Sequence, residues 1–531
     1  MAWPRSSRIV PAIRACWRLA TWGTAWRGEA AGAWPTGWAA ASDAPSPESP
    51  ITPKGPASAA AKIRCHRVIT HLRGRGAERG ETGTFRQLNI LGDPPAPGQK
   101  PDKLWLVYLD EAVVIVLAGG VGERLSPLTR ERAKPAVYFG GPYRIIDFTL
   151  SNCINSGLRR VFIATQYKSL SLHRHIRLGW NVVSDELGKF IEVLAPQKRV
   201  GEHWYQGTAD AVYQNLYSIL PEQPRHVIVL SGDHVYKMDY GKLLRTHIER
   251  GAVATLGVIE IPRDEAGRFG VVRVDERDRV VGFLEKPKDT SGLGADDHVL
   301  ASMGIYVFET ETLKRVLEED AARETAHDFG RDILPLLIND APVYAHRFHD
   351  ENKGRAQYWR DIGTLDAYYE ANMDLCQVNP QFNLYDPEWP LRTHQPQAPP
   401  AKFVFADARR RGTAVDSIIS AGCIISGSFI AGSVLGPNVR VHSFCQIENS
   451  ILMPGVRVGR HARLRNAIID RDVFVPRGAW IGFDPAEDAH RHTVSERGVV
   501  VVTSDDQPYI GPFDDEALRL EADVDRVVAG T

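Results

Sequence analysis

The sequence predicts an α/β domain with a mostly parallel sheet, followed by a parallel β-helix. Three observations carry that expectation. Residues 113–118 (VVIVLA) form an unbroken apolar run that stops at Gly119, Gly120 and Gly122; a short, β-branched run suits a strand buried on both faces rather than a helix. Strand-like and helix-like stretches then alternate to about residue 319, as in a sheet whose strands are joined by helices. After residue 413 the period changes. Ile418, Ile424 and Ile430, then Leu435, Val441, Ile447 and Met453, then Ile469, Val475 and Ile481 recur at hexapeptide spacing, with glycines and small residues between them. Such a period stacks an aliphatic ladder from coil to coil, whereas an antiparallel sheet would show period two and hairpin turns.

Residues 1–105 share neither pattern. Trp3, Trp17, Trp22, Trp26, Trp34 and Trp38 stand among Ala, Arg, Gly and Pro without helical or alternating order, and stretches 42–61 and 92–100 are rich in Pro with Ser and Ala or Gly. That composition suits a disordered extension. A transit peptide would explain the arginines but has little use for so many tryptophans; a regulatory arm lacks a motif. The favoured expectation is an upstream-extended translation start. The chain of 531 residues has room for two or three domains. Its net charge of -1, from 64 basic and 65 acidic residues, leaves no electrostatic footprint for nucleic acid or an anionic membrane. Cys16, Cys65, Cys153, Cys376, Cys423 and Cys445 form no C-x-x-C pair, so small apolar fillers in a reduced cytoplasm are expected.

In order from the glycines, backbone N–H groups of Gly119, Gly120 and Gly122 can approach a phosphate closely, and Arg124 and Lys134 add positive charge. Strands are expected at 159–166, 226–230, 252–259 and 303–308, and helices from near Phe148 and at 209–220, 240–250 and 310–319. Sheets of this class bind ligands at the carboxyl ends of their strands. Asp233, in VIVLSGDHVY, stands at such an end. It suits either a Mg²⁺ ligand or a carboxylate capping its own turn. His173 and His175, flanked by Arg174 and Arg177, read as a solvated helix face, and His234 has no evident proton to move. No G-x-S-x-G or G-K-[ST] motif is present. Residues 383–400 form a proline-rich connector.

The strings G-G-x-G-x-R-L-x-P-L-T, R-A-K-P-A-V and R-I-I-D-F-x-L-S-N-C-I-N-S-G closely resemble the start of the glucose-1-phosphate adenylyltransferase family, and the resemblance runs from about residue 113 to 502. It implies a nucleotidyltransferase Rossmann-like domain at 106–382, a linker at 383–412, a left-handed β-helix at 413–503 and a tail at 504–531. It also implies the reaction of ATP with glucose 1-phosphate to give ADP-glucose and diphosphate, under allosteric control, in a cytoplasmic homotetramer. By the same resemblance Arg124, Lys134 and Asp233 are catalytic, Gly119, Gly120 and Arg124 bind ATP, and Asp233 with Asp361 holds Mg²⁺. Tyr205, Gly270, Glu285, Lys286 and Ser302 match positions that hold glucose 1-phosphate, with Asp328 and Trp359 near the sugar. Arg132, Arg144 and Arg471 match positions for a small anionic effector, and Gln166 and Trp204 match positions that link the sites.

Three rival readings remain at this point. A transferase using UTP or dTTP would differ in nucleotide preference, a catalytically dead regulatory subunit would lack activity despite Arg124, Asp233, Lys286 and Asp361, and an acetyltransferase would use acetyl-CoA on the hexapeptide coils. Glu131 precedes Arg132 where some relatives place a lysine, which argues against a bisphosphate activator.

Overall fold

The computed structural model describes residues 103–197, 204–288, 297–351, 357–407 and 410–506. Residues 1–102 of the expected extension and the tail beyond 506 lie outside the described residues. No described helix is long and apolar enough to cross a membrane.

Strand Ala112–Ala118 is buried along almost its whole length, which its continuous Val-Val-Ile-Val-Leu run requires of a central strand. It pairs in parallel with Arg160–Thr165 on one side and His226–Ser231 on the other, and Phe190–Leu194 extends the parallel half. The other half carries antiparallel pairs as well. Strand His298–Glu309 runs antiparallel to His226–Ser231, to Ala254–Pro262 and to Gly270–Val274, while Val343–Arg347 pairs in parallel with Ala254–Pro262 at the far side of the nine-stranded sheet. Two apolar clusters cover its faces, one around Val114, Val116, Ile228 and Tyr240, the other around Val113, Ile115, Val229 and Phe308. Each such side chain, fully buried, contributes about 1.5–3 kcal/mol relative to exposure.

Register explains where a site can form. The parallel strands end together at Ala118, Thr165 and Ser231. Tyr306 pairs with Val229, so Ser302, four residues earlier on the antiparallel strand, lies beyond that shared end. The hairpin Gly270–Val274 with Val280–Glu285 pairs Gly270 with Glu285, and Ala301 pairs with Val271, which puts Glu285 level with Ser302. Finally, Trp359–Asp361 pairs antiparallel with His234–Tyr236, Asp361 opposite His234. Distant stretches of chain thus meet at one edge.

The expected helix at 209–220 is broken into Thr208–Tyr213 and Leu216–Ile219. Asn215 interrupts it because its amide is engaged elsewhere, donating to the Ala211 carbonyl at 2.7 Å and the Tyr205 hydroxyl at 2.8 Å. The solvated face expected for His173 and His175 is also corrected. His175 is 4% exposed and meets the buried Asp147 carboxylate at 2.6 Å, while His173 pairs with Thr165 at 2.9 Å. Asp147 collects four groups: the Arg144 backbone N–H, His175, the Trp180 indole and the Thr393 hydroxyl. Thr393 belongs to the connector, whose Trp389 indole also donates to Asn152, so the proline-rich stretch is docked onto the sheet domain.

Beyond it three parallel sheets wind into a β-helix. Ile430, Ile447, Leu464 and Ile481 stack in register, a step of 17 residues. A coil of that length takes two steps of six and one of five, so a strict hexad drifts off the core. Ile425 and Leu452 therefore point inward where Ile424 and Met453 were expected, and Ile419 packs inward in place of Ile418. Met453, Ile451, Ile468 and Val501 face the other way, onto Leu125, Phe139, Phe148 and Tyr368 of the sheet domain. The first coil strand, Lys402–Val404, already pairs with Ile424–Ser426, within the stretch expected to be linker.

Candidate active site

At the carboxyl edge of the sheet, the glycine loop is tight at Gly119 and Gly122 and open between them at Gly120. A side-chain carbon at Gly119 would come within 3.0 Å of Gln166, whereas one at Gly120 would meet nothing within 4 Å. Gly122 has φ +68° and would press a side chain to 3.0 Å from the Lys134 stem, so glycine is required there on both grounds. Thr129 closes the loop by donating to the Gly122 carbonyl at 2.9 Å.

Behind the loop the Lys134 ammonium donates to Asp233 Oδ2 at 2.9 Å and to Asp361 Oδ1 at 3.0 Å. Its side chain is 8% exposed, against 31% and 15% for the two carboxylates. Burial alone would lower the Lys134 pKa, but the two carboxylates outweigh it and raise it. Burial pushes Asp233 and Asp361 up, while Lys134 and His234 pull harder and hold both below the usual carboxylate range. Asp233 does not cap its own turn: the Ser231 hydroxyl donates to its Oδ1, and Thr149 fixes Ser231 by donating to its carbonyl at 3.0 Å. His234 Nε2 stands 3.6 Å from Asp233 Oδ1 and 3.9 Å from Asp361 Oδ1. Asp233, His234 and Asp361 each present a ligand atom within 4.8 Å of the others, and two carboxylates beside an imidazole suit a divalent cation. Arg124 reaches the same corner, its guanidinium near the Cβ position of Gly363 and beside Asp361.

A second group lies one strand away. Glu285 Oε2 crowds both Gly270 and Gly330, where an added Cβ would fall 2.9 and 2.6 Å from it. Lys286 pairs with Glu285 at 3.2 Å but is 56% exposed. Ser302 lies 3.4 Å from the Tyr306 hydroxyl and accepts from the Gly304 N–H. Burial, together with Asp328 and Glu285, pushes that Tyr306 hydroxyl up. Asp328 accepts from the Gly330 and Arg331 N–H groups and from Thr208. Trp359 lies between this group and the carboxylates, its ring tilted at 58° to Phe269 and 55° to His234, with centroids 5.2 and 4.9 Å away. Gln166, against Gly119, donates to the Tyr205 carbonyl at 3.3 Å; Trp204 next to it is 49% exposed.

The arginines matched to effector positions gather elsewhere, at the junction with the β-helix. Arg132 is 3% exposed and makes a bidentate pair with Asp470, at 2.7 and 2.8 Å. Arg144 lies over the Tyr138 ring and donates to the Ser171 carbonyl; burial, with Arg132 adding, lowers its pKa. The Arg471 backbone N–H donates to Asp470, and its side chain is exposed. Sequence reasoning missed Ser231, Asp470 and the position of His234. Ser231 and Asp470 each stand within two residues of a singled-out position, in S-G-D and D-R, and that adjacency was the only signal available.

The Nucleotidyl transferase family model matches residues 113–378, and the GlmU-like C-terminal hexapeptide model matches 399–502. A glucose-1-phosphate adenylyltransferase of Koribacter versatilis is 57% identical over 415 residues, covering 77% of this chain and 100% of that protein. Relatives of the same name from Alkalilimnicola ehrlichii and Paramagnetospirillum magneticum are 52% and 51% identical, over 74% and 76% of this chain and 93% and 96% of theirs. With both halves of the architecture matched and identity sustained over the full length of such relatives, the chain belongs to the glucose-1-phosphate adenylyltransferase family.

Proposed function

We propose that the protein joins ATP to α-D-glucose 1-phosphate, releasing diphosphate and forming ADP-glucose. The observation that carries this reading is the Lys134 bridge between Asp233 and Asp361 behind a glycine loop that is open at Gly120. The sugar phosphate oxygen attacks the α-phosphorus in line, so no protein nucleophile is needed and the protein contributes position and charge. Gly119, Gly120 and Arg124 hold the phosphates that leave. Glu285 accepts from sugar hydroxyls, the exposed Lys286 ammonium holds the sugar phosphate, and Tyr205, Gly270, Ser302 and Asp328 line the sugar. Asp233 and Asp361 are the residues to hold Mg²⁺, which when bound neutralises charge on the reacting phosphates. Trp359 and Phe269 shield the sugar side from water.

Regulation follows as part of the same reading. A small anion binds beside Arg132, Arg144 and Arg471, the protein is a homotetramer, and its substrates place it in the cytoplasm. The test is product analysis with glucose 1-phosphate and each of ATP, UTP and dTTP, scanned with phosphorylated acids and inorganic phosphate as effectors. ADP-glucose formed with ATP well above the rates for UTP and dTTP is expected. Equal or faster turnover of UTP or dTTP would overturn the nucleotide assignment, and sedimentation at the mass of one chain would overturn the assembly.

A further inference from the structure

We propose that the Lys134 ammonium is the built-in counter-ion of the Asp233–Asp361 pair, and that a divalent cation gains these carboxylates only when a nucleoside triphosphate draws the ammonium away. This rests on the reading of the site as a triphosphate and metal site. The metal then arrives with the nucleotide rather than before it.

Four observations support the exchange. The ammonium is bonded to one oxygen of each carboxylate, at 2.9 and 3.0 Å. A second oxygen of Asp233 is taken by Ser231, and the Arg124 guanidinium lies on the side of Asp361 Oδ2, both near the Cβ position of Gly363. A cation binding both carboxylates therefore enters beside the ammonium that already bridges them, and two cations held at the same pair of carboxylates repel. Lys134 also lies against the phosphate loop, its stem in contact with Gly122, so its head can reach loop-bound phosphates by turning about its own side-chain bonds. The residue type matters as well. A lysine is a compact charge on a flexible stem and can leave one acceptor for another, whereas an arginine locked into a bidentate pair surrenders two bonds at once.

Without the ammonium the two carboxylates, with ligand atoms within 4.8 Å of each other, would face each other as like charges in a partly buried site. Lys134 thus offsets their mutual repulsion while lowering their affinity for a metal. A triphosphate on Gly119, Gly120 and Arg124 supplies several negative charges beside the same ammonium. It reverses the balance.

Mn²⁺ binding to the full chain, followed by electron paramagnetic resonance and water-proton relaxation without glucose 1-phosphate, tests this. In wild type without nucleotide, Mn²⁺ should bind at least tenfold more weakly than in Lys134→Met, and a non-cleavable α,β-methylene ATP should produce a strong ternary signal. Asp233→Asn should remove the tight Mn²⁺ binding of Lys134→Met. In melting experiments Mn²⁺ alone should leave the wild-type midpoint unchanged and raise that of Lys134→Met. Stoichiometric Mn²⁺ binding to wild type as tight as in Lys134→Met would overturn the proposal. Should Lys134→Met fail to fold, wild type decides: tight nucleotide-free Mn²⁺ binding that is lost in Asp233→Asn is fatal, and its absence until nucleotide is added supports the exchange. If UTP or dTTP, and not ATP, brings the metal in, the exchange stands and the ADP-glucose reading falls.

Discussion

Lys134 and Arg132 are two residues apart, both buried and both paired with acids, yet they serve opposite ends. Lys134 faces the open glycine loop and divides its ammonium between two partly exposed carboxylates. Arg132 faces the β-helix and sets both arms of its planar fork on the one Asp470 carboxylate, with 4% and 14% of the two side chains exposed. The difference teaches how one short segment can supply both chemistry and assembly. A movable cation among excess acid is suited to exchange, while a cation matched fork to fork is suited to fixing one geometry. The bends at 130–132 and the short helical turn that starts at Lys134 direct the two side chains to different partners.

The largest effect expected from breaking this contrast is on the reactive side. Asp233→Asn should lower kcat by roughly 10³-fold, the scale of removing a preorganised electrostatic group, while leaving the melting midpoint close to wild type. Loss of folding together with activity would mean that the Lys134 cluster is structural like its neighbour.

On the assembly side the expectation is reversed. Asp470→Ala leaves Arg132 buried without a partner and should cost about 3–5 kcal/mol of stability, read by denaturant unfolding. Adding Arg132→Met should recover most of that loss, since an apolar side chain can join Met453 and the interface cluster. Additive losses in the double variant would show that the pair does not act as a unit.

An intermediate case is Lys286, paired at its own neighbour but more than half exposed. Lys286→Ala should raise the KM for glucose 1-phosphate roughly tenfold or more, as a lost charge-assisted bond of about 1.5–3 kcal/mol implies. An unchanged KM would remove Lys286 from the sugar-phosphate site.

Much of this was legible from the chain alone, for identifiable reasons. A strand buried on both faces announces itself by composition, which is why residues 112–118 and the glycines after them could be read directly. The hexapeptide period revealed the β-helix but misplaced Ile418, Ile424 and Met453, because a coil of 17 residues breaks a strict six. The Arg132–Asp470 pair spans 338 positions, and no local pattern encodes a contact between surfaces that exist only once both domains have folded. His175 was misread for the same reason: its partner Asp147 and the connector that completes the network come from other elements.

Basic side chains buried beside no acid mark the other limit. His226 and His247 lie edge to face in the core, and Thr255 is the hydroxyl partner of His247. Burial, with Arg225 adding for His226 and His226 for His247, pushes them down to about 4 and about 3. Both must stay neutral in the folded chain while the unfolded chain takes up protons below about 6.5, so their contribution is complete above that pH. It is lost as pH falls toward 4, at roughly 1 kcal/mol per histidine over the first unit. Denaturant midpoints measured from pH 7 to 5 check this, and His247→Gln should flatten the slope.

The smallest effect should come from Arg130, which extends the comparison by one more step along the same segment. It meets Asp505 at 3.4 Å across the same junction that Arg132 spans, but the two side chains are 51% and 73% exposed. Water solvates both charges as well separated as paired, and holding two flexible side chains in one geometry costs entropy. Arg130→Ala should therefore change stability by about 0–1 kcal/mol, and that difference should shrink further as salt rises over the Debye range. Asp470→Ala in the same titration should keep most of its loss, because salt does not reach a pair this deeply covered. Equal losses for the two variants at low salt would show that burial is not what separates Arg132 from its exposed neighbour. The contrast between the two ends of the segment would then have to rest on the apolar contacts around Met453 instead of on charge.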